Sequence, residues 1–172
     1  GKDQQLSMMG RVGYIYDDRY IIDASIRRDG YSAFGVGNKF GVFPAMGLSW
    51  NAHNEEFLSS VESVNHLKFR LTWGKNGNRG VARYSSLSNM TDTYYVFNNS
   101  TVAGLYSTSM ANPNLGWETT TSTNLAVEFG LFKDRINGAL EVYSSKTTDL
   151  LLNQFIPTTN GYDRFLTNVG EV

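Results

Sequence analysis

Six segments of this chain alternate apolar and polar residues with a period of two, and a chain patterned that way builds its fold from strands. The first runs from Met8, with Met8, Gly10, Val12, Tyr14 and Tyr16 on one side and Arg11 and Gly13 on the other. Asp17, Asp18 and Arg19 supply a polar turn, after which Tyr20, Ile22, Ala24 and Ile26 oppose Asp23, Ser25 and Arg27. Asp29-Gly30 carries turn chemistry suited to positive φ, so the second strand is expected to end there. A third strand sets Val42, Pro44, Met46, Leu48 and Trp50 against Ala45, Gly47, Ser49 and Asn51, with Pro44 near its start or at a bulge. The fourth, from about Val64 to Lys75, places Leu67, Phe69, Leu71 and Trp73 opposite Lys68, Arg70 and Thr72. In the fifth, Leu125, Val127, Phe129 and Leu131 oppose Asn124, Ala126, Glu128 and Gly130. Lys133-Asp134-Arg135 makes another tight turn into a sixth strand, Ile136 to about Lys146.

The connections differ in kind. Asn54 to Leu58 reads as one short helical turn, with Asn54 as its cap and two acids at its N-terminal end. Residues 76–115 are irregular, with local strand at Thr93 to Phe97, and a seventh strand is expected from Phe165. The connections therefore alternate short and long, with the short ones at one end of an antiparallel meander. Ten-residue strands tilted by about 45° cover about 23 Å, close to the apolar band of about 25 Å in outer-membrane barrels. No stretch approaches the roughly 20 apolar residues of a spanning helix, so any crossing must be made by strands.

Alternation alone is also the signature of a soluble sandwich, which is the commoner architecture. Three features point to lipid instead. Tyr14, Tyr16, Tyr20, Trp50, Trp73 and Trp117 gather near strand ends, where headgroups satisfy their polar tips. The long loops lie on one side only. Arg11, Asp23, Arg27, Lys68, Arg70, Glu128 and Glu141 put both charge signs on the polar face, as a wet or plugged lumen accepts.

Other chemistries find little support. A net charge of −1 with scattered Lys and Arg gives no case for nucleic acid, and zero Cys excludes thiolate metal sites and thiol nucleophiles. His53 beside Asn54-Glu55-Glu56 matches no metal-binding helix spacing and is expected as a solvated turn residue. Gly35, Gly37 and Gly41 follow no parallel strand and open no helix, so a phosphate cradle is not expected. Nothing in the spacing of Glu118, Glu128 and Glu141 brings a glycosidase pair together. No catalytic residue, metal or cofactor is expected, and the chain is not read as an enzyme. Its start at Gly-Lys-Asp-Gln-Gln and its end in Asn-Val-Gly-Glu-Val both read as cuts within a longer chain.

Several blocks resemble one family. Ala24 to Gly30, Phe34-Gly35, Phe43-Pro44 and Leu48-Ser49-Trp50 form the first; LKFRLTWGKNGN, Leu67 to Asn78, the second. Asn112 to Leu152, beginning NPNLGWE, is the third, followed by PTTNGY at Pro157 to Tyr162 and NVGEV. In this order they are similar to the SusC/RagA family of TonB-linked outer-membrane proteins. Ala45 departs from the family's Ser, and Arg79 to Met110 align with nothing in it. The resemblance implies that residues 1–172 are an all-β, antiparallel, partial TonB-dependent receptor barrel domain: about seven strands of a 22-strand transmembrane barrel, without plug, N-terminal extension or final strands. It also implies active import of glycan oligosaccharides or peptides across the bacterial outer membrane, with a SusD-like lipoprotein as partner and TonB contacted through parts not in this sequence. Substrate contact is expected from Tyr84, Tyr94 and Tyr95 in the long loop, with packing against the loop itself or the lipoprotein as the plainer role. A passive porin-like channel and a soluble carbohydrate-binding sandwich stand as alternatives.

Overall fold

The computed structural model describes residues 2–83, 85–157, 159, 161–162 and 164–172. Its ten strands are β1 (Gln5–Tyr16), β2 (Tyr20–Tyr31), β3 (Phe40–Asn51), β4 (Val64–Asn78), β5 (Met90–Phe97), β6 (Ser100–Ser107), β7 (Glu118–Leu131), β8 (Ile136–Thr148), β9 (Leu151–Phe155) and β10 (Arg164–Asn168). A 3₁₀ turn, Ala52–Asn54, and one helix, α1 (Glu56–Ser59), lie between β3 and β4. Six strands form one antiparallel meander in the order β1-β2-β3-β4-β7-β8. The hairpins β5-β6 and β9-β10 are separate two-stranded sheets.

The alternation translates into two faces of opposite character. One register row crosses the whole meander as Tyr14, Ile22, Leu48, Leu71, Leu125 and Val142. These side chains face outward: Ile22 is 47%, Leu71 42% and Val142 74% exposed. On β2 the polar partners Asp23, Ser25 and Arg27 are the half-buried ones. The sheet thus presents its apolar face to the surroundings. That inverts a water-soluble protein, where an uncovered face of this size is not tolerated. The accessible surface is 12017 Å², whereas a compact soluble monomer of this mass exposes about 8,400 Å². Among the described residues no second sheet covers the apolar side, so the sandwich alternative fails and lipid is the environment that fits.

Register also measures the strand tilt. Tyr16 and Tyr20, the pair at the first turn, share a row with Trp50, Phe69, Val127 and Leu140. The second turn lies four residues further along, below Leu131 and Ile136. With both turns at one level, four residues of stagger over the four strand spacings between the turn centres give a tilt of about 35°, within the range of closed barrels.

The tight turns form as the sequence suggests. Asp17 and Asp18 (φ 51 for both) and Phe132, Lys133 and Asp134 (φ 54, 59 and 59) adopt the left-handed region that such turns need. Several expectations need correction. Asp29-Gly30 is not a turn: β2 continues to Tyr31, and Gly30 pairs with Phe40, whose ring lies 2.6 Å from where a Cβ would stand. Asn54 does not cap α1; its amide donates instead to the Asp18 carbonyl at 2.9 Å. The β3–β4 connection, 52–63, is longer than the β2–β3 connection, 32–39, so loop length does not alternate strictly. Phe165 begins part of β10, which pairs with β9 and not with β8. Beside β8 lies an isolated antiparallel bridge, Thr148–Glu171. Among the described residues the meander therefore has six strands, with that bridge at its β8 edge.

Candidate functional site

Three regions carry the polar chemistry of this wall: its inner face, the mouth at the loop end, and a knot at the turn end.

On the inner face, alternation on β4, β7 and β8 brings Arg70, Glu128 and Glu141 together. The Arg70 guanidinium lies 3.2 Å from Glu128 and 3.0 Å from Glu141, and Asn124 donates to Glu141 at 3.5 Å. Towards β1, Arg11 pairs with Asp23 at 2.9 Å and Arg27 with Asp29 at 2.8 Å. Between these clusters runs a shallow trough of about 520 Å³ floored by the small residues Ser25, Ala45, Gly47 and Ser49. Of the charges foreseen for this face, Arg11 and Asp23 thus neutralise each other, Arg70 bridges Glu128 and Glu141, and Arg27 is met by Asp29, while the trough offers close approach to backbone.

At the mouth, the only compact apolar cluster among the described residues joins Tyr31, Ala33, Phe34 and Leu115. Leu115 is fully buried, and Trp117 packs against Phe34 and Phe43 with ring centroids 5.1 and 5.4 Å apart. Trp117 belongs to this cluster rather than to the aromatic belt expected from its position in sequence. Asn168 clamps the arm 149–168 onto the segment 112–117. Its Oδ1 accepts from the Gly116 N–H at 2.8 Å, and its Nδ2 donates to the carbonyls of Gly116 at 3.1 Å and Asp149 at 3.0 Å. Asn112 donates to the Leu166 carbonyl at 2.9 Å, and Ser86 to that of Ala33 at 2.9 Å. The NPNLGWE block is thus a fastener between loops.

At the turn end, Glu55 accepts from the Tyr20 hydroxyl at 2.7 Å, from Trp50 Nε1 at 3.0 Å and from Arg19 at 3.2 Å. The Tyr20 hydrogen bond, then those of Trp50 and the Arg19 charge, hold its carboxyl below the usual carboxylate range. Sequence reasoning saw Glu55 only as a helix-end acid. The aromatic–carboxylate spacing from Trp50 was the available signal. His53 is not simply solvated: its ring packs on His66 with centroids 4.7 Å apart, and its Nδ1 lies 3.2 Å from the Leu67 carbonyl.

Of the loop tyrosines, Tyr84 lies outside the described residues. Tyr94 and Tyr95 are successive residues of β5 and so point to opposite faces of the β5-β6 hairpin. Tyr94 is 73% exposed, while the Tyr95 ring lies over Gly104, 3.0 Å from where a Cβ would stand. The hairpin does not bring the two together on one surface.

An apolar-outside, polar-inside antiparallel meander, tilted and unclosed, is part of the wall of a transmembrane β-barrel. The chain belongs to the TonB-dependent receptor-like β-barrel family, whose model matches residues 2–172. It is 34% identical over 167 residues to TonB-dependent receptor P3 of Formosa agariphila, covering 97% of this chain and 17% of that protein. To TonB-dependent receptor SusC of Bacteroides thetaiotaomicron it is 35% identical over 176 residues, again covering 97% and 17%. A solved structure of the RagAB peptide transporter superimposes with a TM-score of 0.87 at 27% identity, over 97% of this chain and 18% of that one. The chain therefore spans about a sixth of the length of these relatives.

Proposed function

We infer that this wall serves a TonB-dependent importer in a bacterial outer membrane, taking up glycan oligosaccharides or peptides together with a SusD-like lipoprotein. The observation that carries the reading is the match to the family's barrel along residues 2–172 on a sheet whose apolar face points outward. The similarity to the RagAB peptide transporter, and to SusC, supports import as the activity. In this reading β1–β4, β7 and β8 cross the lipid, the Glu55 knot lies at the periplasmic rim, and the loops 32–39, 79–117 and 149–170 face outward. The inner-face trough borders the interior through which cargo passes. Catalysis has no part in it.

Energy dependence separates the importer from the passive channel. Uptake by cells carrying the full-length protein, with and without TonB, is the test; uptake unchanged by loss of TonB sinks the importer reading. For Tyr84, Tyr94 and Tyr95 we propose packing on the loop or lipoprotein as the main role and ligand stacking as the second. Replacing Tyr94 and Tyr95 with Ala in the full-length protein decides between them. Unchanged ligand affinity removes the binding role, and weakened co-purification of the lipoprotein supports the packing role.

A further inference from the structure

Both histidines of the chain meet at the turn end of the wall. His66 alternates with the outward-facing Leu67 and so stands on the inner face of β4, where the register against β7 shifts between Val64 and His66. Irregularities of this kind re-aim a side chain. His53 comes from the 3₁₀ turn Ala52–Asn54, and the two rings lie with centroids 4.7 Å apart and planes inclined by 46°. The Glu55 knot engages Arg19, Tyr20 and Trp50 and leaves this pair unused. Gly130 faces His66 across the strands. A Cβ there would stand 3.3 Å from that of His66, so its absence keeps space beside the ring.

Each ring is steered through one nitrogen and leaves the other open. His53 Nδ1 lies 3.2 Å from the Leu67 carbonyl, which can only accept, so Nδ1 carries the proton and Nε2 keeps its lone pair. His66 Nε2 lies 4.0 Å from a Glu128 carboxylate oxygen, which leaves Nδ1 as the open atom. An imidazole backed by a carbonyl or carboxylate on one nitrogen and bare on the other is the arrangement of a metal ligand. Glu128 and the Asp134 carboxylate, the latter 2.6 Å from where a Gly130 Cβ would stand, supply negative charge nearby. Lys68, opposite Glu128 in register, offsets part of it.

The ring spacing discriminates among ions. Two imidazoles bound to one ion through nitrogens about 2.0 Å away have centroids about 4.5 Å apart at a right angle and about 5.2 Å apart at the tetrahedral angle. The observed 4.7 Å lies nearer the right angle, as between neighbouring positions of a tetragonal copper(II) or nickel(II) ion rather than a tetrahedral zinc. We propose that His53 Nε2 and His66 Nδ1 together bind such a divalent ion, with Leu67 and Glu128 as outer partners. Among the described residues no third histidine or acidic side chain completes the set, so water fills the remaining positions. The bound ion ties the β3–β4 connection to its own strand. Spacing motifs within one element miss this pair, because a turn and a strand supply one ligand each.

The test uses the full-length protein in detergent micelles, stripped with a chelator and titrated with copper(II) under electron paramagnetic resonance. Wild type is expected to take up one more equivalent than His53→Ala, and the difference spectrum to show a tetragonal ion coupled to two nitrogens. His66→Ala is expected to lose the same equivalent, and the double variant no more than either single one, because the site is shared. Each single variant should weaken binding by more than about tenfold, since removing even an outer partner of a metal ligand costs about that much. His53→Ala changes a residue outside the strands and keeps the test decisive where His66→Ala folds poorly. Equal copper uptake by wild type and His53→Ala overturns the proposal, as does a difference spectrum with a single coupled nitrogen.

Discussion

The ring of Phe43 occupies the space that a side chain on Gly77 would need. Phe43 is buried at the point where β3 and β4 part, beneath Trp117 and with Arg27 5.7 Å from its ring centroid. Gly77→Ala forces this ring out of its slot, and overpacking of this kind costs about 1–3 kcal/mol. The expected outcome is a lower unfolding midpoint of the full-length protein in detergent, partly restored by Phe43→Leu. Wild-type stability in Gly77→Ala would show that the ring relocates freely.

Adjacent residues on β4 provide a test of sidedness. Leu71 faces outward and Thr72 inward. Leu71→Arg places a charge in the middle of the apolar band and should cost about 2–4 kcal/mol of folding stability in lipid vesicles. Thr72→Arg, one residue away, should cost well under half as much. Equal penalties would contradict the assignment of the two faces.

Arg70 separates two carboxylates that would otherwise face each other. All three groups are partly exposed, so coupling of each pair is limited to about 1 kcal/mol or less. Arg70→Met should destabilise modestly, and Glu141→Gln in that background should recover part of the loss. A double-mutant cycle by urea unfolding in micelles reads the coupling. Strict additivity would mean the contact carries no energy.

The knot at Glu55 predicts a pH response. Its carboxyl is held below the ordinary carboxylate range in the folded protein, so its stabilising contribution is present above the unfolded value. That contribution fades as the pH falls through the lower folded value. Trp50 donates to the same carboxylate, and its emission should shift in the acid range with a midpoint below 4.5, the ordinary value for Glu. Glu55→Gln should abolish that titration. An unaltered acid transition in Glu55→Gln would assign it to other groups.

The wall itself was legible in the sequence because its environment selects every second residue. Leu67, Phe69, Leu71 and Trp73 announce their face without reference to any partner. The mouth was legible only as blocks, since Leu115 and Asn168 act through contacts with segments far away in sequence. Period-two patterning carries no such information. Only Thr93 to Phe97 of the β5-β6 hairpin was visible, although Asn98-Asn99 (φ 47 and 61) is a turn signal of the same kind as Asp17-Asp18. Glycines misled as well. Gly30 reads as a turn residue, yet its place is set by the Phe40 ring across the strand, a cross-strand relation that no local rule sees.

The fastening of residues 112–117 to the arm 149–168 has a consequence for variation. Both roots of the long excursion are held, one by continuation from β4 and the other by the Leu115 and Asn168 contacts. What lies between them, including the β5-β6 hairpin, is attached to the barrel rather than built into it. A new hairpin could be spliced between those roots and the transmembrane strands would not have to find a new register. The barrel is in that respect a socket, and its outward display an interchangeable fitting.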